Sequence, residues 1–321
     1  MILTTLSPDF TPRNQALRFG IDTERETPQD VMVDVVDVAT DTTLSRQHLR
    51  QITTAEVNIA PYTRDFSLHT PSQKRHTSFK EAPSSLYAIR CEDCQSEPLR
   101  ISVNRREQST PTLVTSMPLN RTISYGERDE LLLLVNPNNH ISVYIEGDTG
   151  EVMMLDYTAL TGAAILSIST ADFAYNIGTL DVDIECNGEW LTTLHYKMVR
   201  SGRKSMRLAW ISDEGSIERY TFPMTTKRQQ KCEKRSVAAA EGQRVVSATT
   251  EQSDVLISRY EPRLTIESLA EIISATKVWI ERGDDYNEVE VLTSVVDHNL
   301  LGEPDCLRLT IRQWRRKEVA L

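Results

Sequence analysis

Three carboxylates in the segment TLDVDIEC, Asp181, Asp183 and Glu185, stand at i, i+2 and i+4. On a β-strand that spacing puts all three on one face. Such a row suggests calcium ligation or acid–base work. Calcium sites, however, need a turn that adds backbone carbonyls, and glycosidases need carboxylates facing each other from separate elements. Neither accompanies this row. Leu180, Val182 and Ile184 alternate with it as an inward face, so the row reads as the solvated side of a sheet. Cys91 and Cys94 form a C-x-x-C in RCEDCQ, but a structural zinc site wants a second pair or two closely spaced histidines. The six histidines are dispersed, and the five cysteines (Cys91, Cys94, Cys186, Cys232, Cys306) are an odd, scattered set that does not read as a disulfide framework. Reduced, incidental thiols are expected. His195 in TLHYK and the Asp297-His298 pair lie in or at the ends of strands. There is no G-x-S-x-G elbow, G-x-G-x-x-G or P-loop, and the 12 glycines fall mostly at turns. No catalytic, cofactor-binding or metal-binding residue is therefore assigned.

The formal charge of −10 argues against nucleic-acid binding through a global positive field. Two basic clusters run against it: Lys227, Arg228, Lys231, Lys234 and Arg235, and the tail Arg312, Arg315, Arg316 and Lys317. They suit a solvated loop or a dock for an acidic neighbouring subunit better than a nucleic-acid contact. The N-terminus MILTTLSPDFTPRNQ lacks a basic region followed by a long apolar run, and no apolar stretch approaches the roughly 18 residues of a membrane span. A cytoplasmic chain, released only by a signal-free route such as lysis, is the expectation. The acceptor pattern Asn120-Arg121-Thr122 is then incidental.

With 321 residues, 39% hydrophobic and 26% charged, two or three soluble domains are expected. Strand signals dominate. DVMVDVVDV and AEVNIAPY alternate with period 2, which predicts an N-terminal immunoglobulin-like β-sandwich over 1–70. HTPSQKRHTSFKEAP is polar and aperiodic, which predicts a linker over 71–84. Hairpins follow over 85–224, a central antiparallel β domain; the Asn187-Gly188 pair demands a type I′ turn. The charged, bland stretch 225–250 reads as a linker or mobile excursion. Over 251–321, LTIESLAEIISA places Ile266, Leu269, Ala270 and Ile273 on one helical face, with Thr265 as N-cap. Strands flank it in the order β-α-β-β-β. The fold class is thus mainly β: successive antiparallel sandwich domains with a C-terminal α+β portion.

The segment RLAWISDEGSIERYTF concentrates aromatics in a chain where they make up only 6%. Leu208 and Trp210 share one face of its first strand, and Tyr220 and Phe222 share one face of its second. If those faces coincide, the aromatics pack across the hairpin as sheet core rather than as a ligand platform, with Gly215 in the turn. This hairpin resembles one in virion proteins of tailed phages and prophages of Bacteroidetes: Trp or Phe, a hydrophobic residue, Asn or Ser, two variable positions, Gly, then aromatic-x-Phe. Trp210, Ile211, Ser212, Gly215, Tyr220 and Phe222 occupy those positions. The family more often has Asn at Ser212 and a second Gly at Ser216. SPDF…LRFGID with AEVNIAPY is similar to the opening of the same proteins, and LTIESLAEIISATKVWIE, with Ser274, Val278 and Trp279, to their helix-then-strand segment.

The resemblance implies a structural component of a phage tail or tail-like particle, near the tail tip and assembled in the bacterial cytoplasm. It implies no cofactor and no catalytic residue, with partners that are further copies in a ring and neighbouring tail proteins. Two alternatives stay open. A carbohydrate- or cell-surface-binding β-sandwich protein would expose aromatics, with Trp190 and Tyr286 as candidates. A hydrolase on a β scaffold would converge two carboxylates, or a nucleophile and a base, from separate strands.

Overall fold

The computed structural model describes residues 1–9, 11–12, 15–38, 40–63, 71, 76–82, 85–92, 94–102, 111–160, 162–239, 242–295 and 305–317. The protein is mainly β and mostly antiparallel, as its alternating sequence predicts. Among the described residues no helix is long and apolar enough to cross a membrane.

The N-terminal unit is a β-sandwich. A three-stranded sheet of Ile2–Thr5, Arg18–Asp22 and Thr54–Asn58 covers a six-stranded sheet centred on Gln29–Asp37. Val31, Val33 and Val35 point inward from the larger sheet and meet Phe19, Ile21 and Val57 of the smaller. The unit runs past the boundary expected at residue 70. Ser85–Cys91 pairs with Gln29–Asp37, Leu99–Ser102 pairs with Ser85–Cys91, and Tyr87, Ile89, Leu99 and Ile101 complete the core.

Between these visits the chain gives a strand to the next unit. Ser78–Glu81, inside the expected linker 71–84, pairs with Ala163–Ser169. All four of its residues are half-buried, so a short edge strand carries no alternation to announce it.

The central unit is a second sandwich. One sheet orders Thr112–Val114, Arg128–Leu134, Ala163–Ser169 and Ser78–Glu81; the other orders Asn120–Ser124, Glu189–Val199, Thr179–Cys186, Asn139–Gly147 and Val152–Ala159. Leu131, Leu133, Leu166, Val143, Ile145, Val182 and Ile184 fill the space between them. Asn187 and Gly188 both have positive φ, +52° and +80°, as a type I′ turn requires.

The C-terminal unit is one seven-stranded sheet in the order Ile217–Phe222, Met206–Ile211, Val278–Arg282, Asp285–Val291, Arg308–Lys317, Gly242–Ile257 and Met224–Ala239. Two expectations change here. The aromatic hairpin, expected in the central domain 85–224, belongs to this sheet through the pairing of Met206–Ile211 with Val278–Arg282. The stretch 225–250, expected as a linker, lies in a ribbon of two 16-residue strands. Over Thr225–Ser236 every residue but Cys232 is polar or charged, so the period-2 signal is missing.

The helix Arg263–Ala270, continued by a 3-10 turn Glu271–Ile273, lies on the sheet with Ile266, Leu269 and Ile272 buried. Pro262, not Thr265, is its N-cap. Thr265 is buried within the first turn, because Pro262 already ends the extended approach at φ −58°, ψ 155°.

Candidate functional site

The hairpin of Met206–Ile211 and Ile217–Phe222 is closed by Ser212-Asp213-Glu214-Gly215-Ser216. The Gly215 amide donates to the Ser212 carbonyl (3.0 Å) and the Ser212 amide to the Ser216 carbonyl (2.9 Å). Gly215 stands at φ +87°, the residue that a three-residue hairpin loop places in the left-handed region. Register sets Leu208 opposite Tyr220, Met206 opposite Phe222 and Trp210 opposite Glu218. The two faces do coincide: Leu208, Trp210, Tyr220 and Phe222 share one core with the helix. Trp210 is 0% exposed, which removes it as a ligand platform. The Tyr220 and Phe222 rings meet edge to face, centroids 5.0 Å apart. The Tyr220 hydroxyl donates to Glu261 (2.8 Å) and accepts from the Arg259 amide (3.0 Å). Burial, then the Glu261 charge, pushes its pKa well up.

The opposite face of the same strands carries Arg207, Arg219 and Thr221 beside an apolar end of Ala209, Ile211 and Ile217, and it is also buried. Arg207, on Met206–Ile211, donates to Glu127 (3.0 Å), Thr221 Oγ1 (2.9 Å) and the Arg128 carbonyl. Arg219, on Ile217–Phe222, donates to Glu130 (2.9 Å) and Glu281 (3.2 Å). Arg128 lies 3.7 Å from Glu281 and 3.4 Å from Asp284, and Lys80 lies 3.3 Å from Glu130. Nearby, Arg121 donates to Asp129 (2.7 Å) and lies 3.5 Å from Glu218. Tyr196 also donates to Asp129 (2.8 Å), while Thr115 and Ser216 hydroxyls donate to Glu218 (2.6 Å each).

This lattice joins two units. Arg128, Glu130 and Asp129 belong to the central sandwich; Arg207, Arg219, Glu218 and Glu281 belong to the C-terminal sheet. Burial pulls the Arg121 pKa down, but Asp129 and Glu218 outweigh it and leave the guanidinium more basic than usual. Glu130 and Glu281 do the same for Arg219. Burial, with the Asp129 charge behind it, raises Tyr196 well above an ordinary tyrosine.

Charges held this way are already committed to each other. The cavity beside Arg121, Asp129 and Tyr196 measures about 20 Å³, room for a single water. The lattice therefore bridges the two sheets and fixes how they face each other. Sequence reasoning missed it. Its signal is Arg128-Asp129-Glu130 running directly into Leu131–Leu134: in a strand buried at every position, consecutive charges must face inward on both sides.

The residues singled out from sequence lie elsewhere and apart. Asp181 and Asp183 line the outer face of the central sheet, with Leu180, Val182 and Ile184 inward. Asp181 pairs with His195 (2.7 Å), Thr193 donates to Asp183, and Trp190 donates to Thr193 (3.1 Å). Trp190 is 68% exposed. Tyr286 is half-buried against Ala209, Ile211, Ile217 and Trp279, and accepts from Arg219 (3.4 Å). Cys91 is buried opposite exposed Cys94, and burial pushes its thiol up to about 11. Among the described residues no three His, Cys, Asp or Glu are grouped to hold a metal. Of Asn120-Arg121-Thr122, Arg121 belongs to the buried lattice. Asp297-His298 falls outside the described residues. Lys227, Arg228, Lys231, Lys234 and Arg235 are all exposed on the ribbon, Arg228 paired with Asp254 (2.7 Å). Of the tail, Arg312 pairs with Glu251 and Glu290; the side chains of Arg315, Arg316 and Lys317 lie outside the description.

No protein-family model matches the chain, and no curated protein matches it. Among solved structures, the chain is similar to a tetra-tandem repeat from the extending region of a large adhesion protein, at 10% identity, covering 80% of this chain and 70% of that one with a TM-score of 0.23. It is also similar to the FN1-FN3 domains of chicken CNTN1, at 10% identity, covering 98% and 97% with a TM-score of 0.23. Likeness at this level says nothing of function.

Proposed function

We propose that the protein is a non-enzymatic structural component of a phage tail or tail-like particle. It assembles in the bacterial cytoplasm through contacts with further copies, as a ring, and with neighbouring tail proteins. It uses no cofactor. The buried ion lattice carries the proposal. Replacing such pairs by apolar residues is often neutral or stabilising, so a lattice of them is better understood as fixing one geometry than as adding stability. An assembly subunit needs that property, because an angular error between its units is repeated with every copy. The hairpin resemblance to phage virion proteins points the same way.

The test is size and shape. Purified protein imaged by electron microscopy and measured by light scattering is expected to form rings or tubes. A monomer at every concentration, with no ordered particle, overturns the proposal. Exposed Trp190 favours a second reading, a carbohydrate- or cell-surface-binding protein. Glycan-array binding lost in Trp190→Ala would support it. Tyr286 does not join that platform, since it packs against the second apolar cluster of the C-terminal sheet.

A further inference from the structure

The charge of this chain is divided between regions. The three adjacent strands Met224–Ala239, Gly242–Ile257 and Arg308–Lys317 hold eleven Lys and Arg against three Asp and Glu, a surplus of eight, which leaves −18 on the rest of a −10 chain. Lys227, Lys231 and Arg235 are exposed along one face of the outermost strand of that sheet, and Lys234 is exposed on the other. At its root a cleft of about 360 Å³ is walled by Arg203, Lys204, Lys227, Arg228 and Arg282 with the lattice's Arg207, around one carboxylate, Glu281.

A complementary surface lies on the same chain. The outer face of the five-stranded central sheet carries Glu146, Asp156, Asp181, Asp183 and Glu185 on adjacent strands. Glu146 sits directly opposite Asp181 in the register, and like charges facing each other across strands are destabilising. Among the described residues, the cationic partners within ion-pair distance are histidines, His140 on Asp156 and His195 on Asp181. Val152 and Met154, exposed on the edge strand beside them, add apolar area.

We propose that the cationic ribbon of one copy docks on the carboxylate face of the central sheet of the next. This rests on the assembly proposed above and names its contact. Basic residues from outside meet the carboxylate row and relieve the Glu146/Asp181 opposition. The two patches differ, so the contact is heterologous, and head-to-tail repetition closes a ring or extends a filament.

Sedimentation velocity tests it in about 0.1 M and about 1 M NaCl, where the Debye length falls from about 10 Å to about 3 Å. Wild type is expected to associate in low salt and dissociate in high salt. A ribbon reversal (Lys227→Glu, Lys231→Glu, Arg235→Glu), at three exposed positions that share one face of the strand, and a face reversal (Glu146→Lys, Asp181→Lys) should each weaken self-association at least about tenfold. Circular dichroism checks that both stay folded, as expected for exposed positions. Mixed together, the two variants should co-assemble, because the acidic ribbon of one meets the basic face of the other. If the reversed variants assemble like wild type, the contact lies elsewhere and only this inference fails. If wild type is monomeric in low salt, the assembly proposal fails with it. If ribbon reversal abolishes binding to a short DNA duplex and leaves assembly intact, the ribbon's partner is nucleic acid and the inference is overturned.

Discussion

The two faces of the Met206–Phe222 hairpin are built from the same strands and do different work. One face buries Leu208, Trp210, Tyr220 and Phe222 against the helix, a non-directional contact whose value scales with area removed from water. The other buries Arg207 and Arg219 against Glu127, Glu130 and Glu281, contacts that hold only at one distance and angle. Glu218, which stands opposite Trp210 on the apolar side, reaches Arg121 as well, so the hairpin belongs to the C-terminal sheet and grips the central sandwich from both of its faces, most densely through Arg207 and Arg219.

Breaking the apolar face should have the largest effect. Trp210→Ala removes the largest fully buried side chain among the described residues and is expected to cost about 3–5 kcal/mol in denaturant unfolding. Trp210→Phe should cost much less, because the indole N–H has no hydrogen-bond partner among the described residues and only ring volume is lost. A Phe variant as unstable as the Ala variant would sink this account of the face. Breaking the ionic face comes next. Arg219→Met leaves Glu130 and Glu281 buried with less compensation. The loss should lie near the bottom of the about 3–5 kcal/mol range, since Glu130 keeps Lys80 and Glu281 keeps Arg207. The sharper readout is shape. Small-angle scattering should report a broadened arrangement of units for Arg219→Met and an unchanged one for Trp210→Phe.

The same contrast decides what could be read from sequence. The apolar face was legible, because Leu208/Trp210 and Tyr220/Phe222 alternate and an apolar run bounded by an acidic turn has one sensible hairpin. The buried side of Thr179–Cys186 and the helix face of Ile266 and Leu269 were legible for the same reason. The ionic lattice was not, since Arg128, Arg207 and Arg219 look like surface residues until a second sheet is laid over them. Nor was the ribbon, whose first strand runs through Thr225–Ser236 with polar or charged residues at every position but Cys232, so that no apolar alternation announces its backbone pairing. The domain boundary expected at 70 failed on connectivity. Ser78–Glu81 visits the central sandwich before Ser85–Cys91 returns to the first, and no local periodicity encodes a return.

Tyr196 tests the lattice from its edge. Its hydroxyl donates to the Asp129 carboxylate, which also holds Arg121, so Tyr196→Phe should cost near the lower end of about 1.5–3 kcal/mol. Its pKa is raised in the folded protein from the ordinary value of 10.0 by burial and then by Asp129. Folding therefore holds a proton that the unfolded chain gives up first. The associated stability is intact below about pH 10 and is lost as pH rises through the folded value. Thermal unfolding followed from neutral to alkaline pH should show stability falling above about pH 10, with a shallower fall in Tyr196→Phe. The same slope in both proteins would remove Tyr196 from the alkaline response; Tyr220, raised likewise, remains in both as an internal reference.

The smallest expected effects come from two turn glycines, and their difference isolates what the hairpin adds. Gly188 and Gly215 have nearly the same backbone, φ +80° and +87°. A side chain in that region costs about 1–2 kcal/mol whatever surrounds it. Gly188 sits at an open turn where an added Cβ meets nothing within 4 Å, so Gly188→Ala should show the backbone cost alone. Gly215 lies between Glu214 and Ser216, both buried, in a turn whose Ser212 and Ser216 hydroxyls bond each other at 2.8 Å while Ser216 donates to Glu218. A shift at Gly215 is therefore passed to Glu218 and on to Arg121. Gly215→Ala should exceed Gly188→Ala, and the excess should shrink when Glu218→Gln is already present, because the two substitutions act through one network. Equal costs in the two glycine variants, or strict additivity with Glu218→Gln, would show that the turn is coupled to neither face.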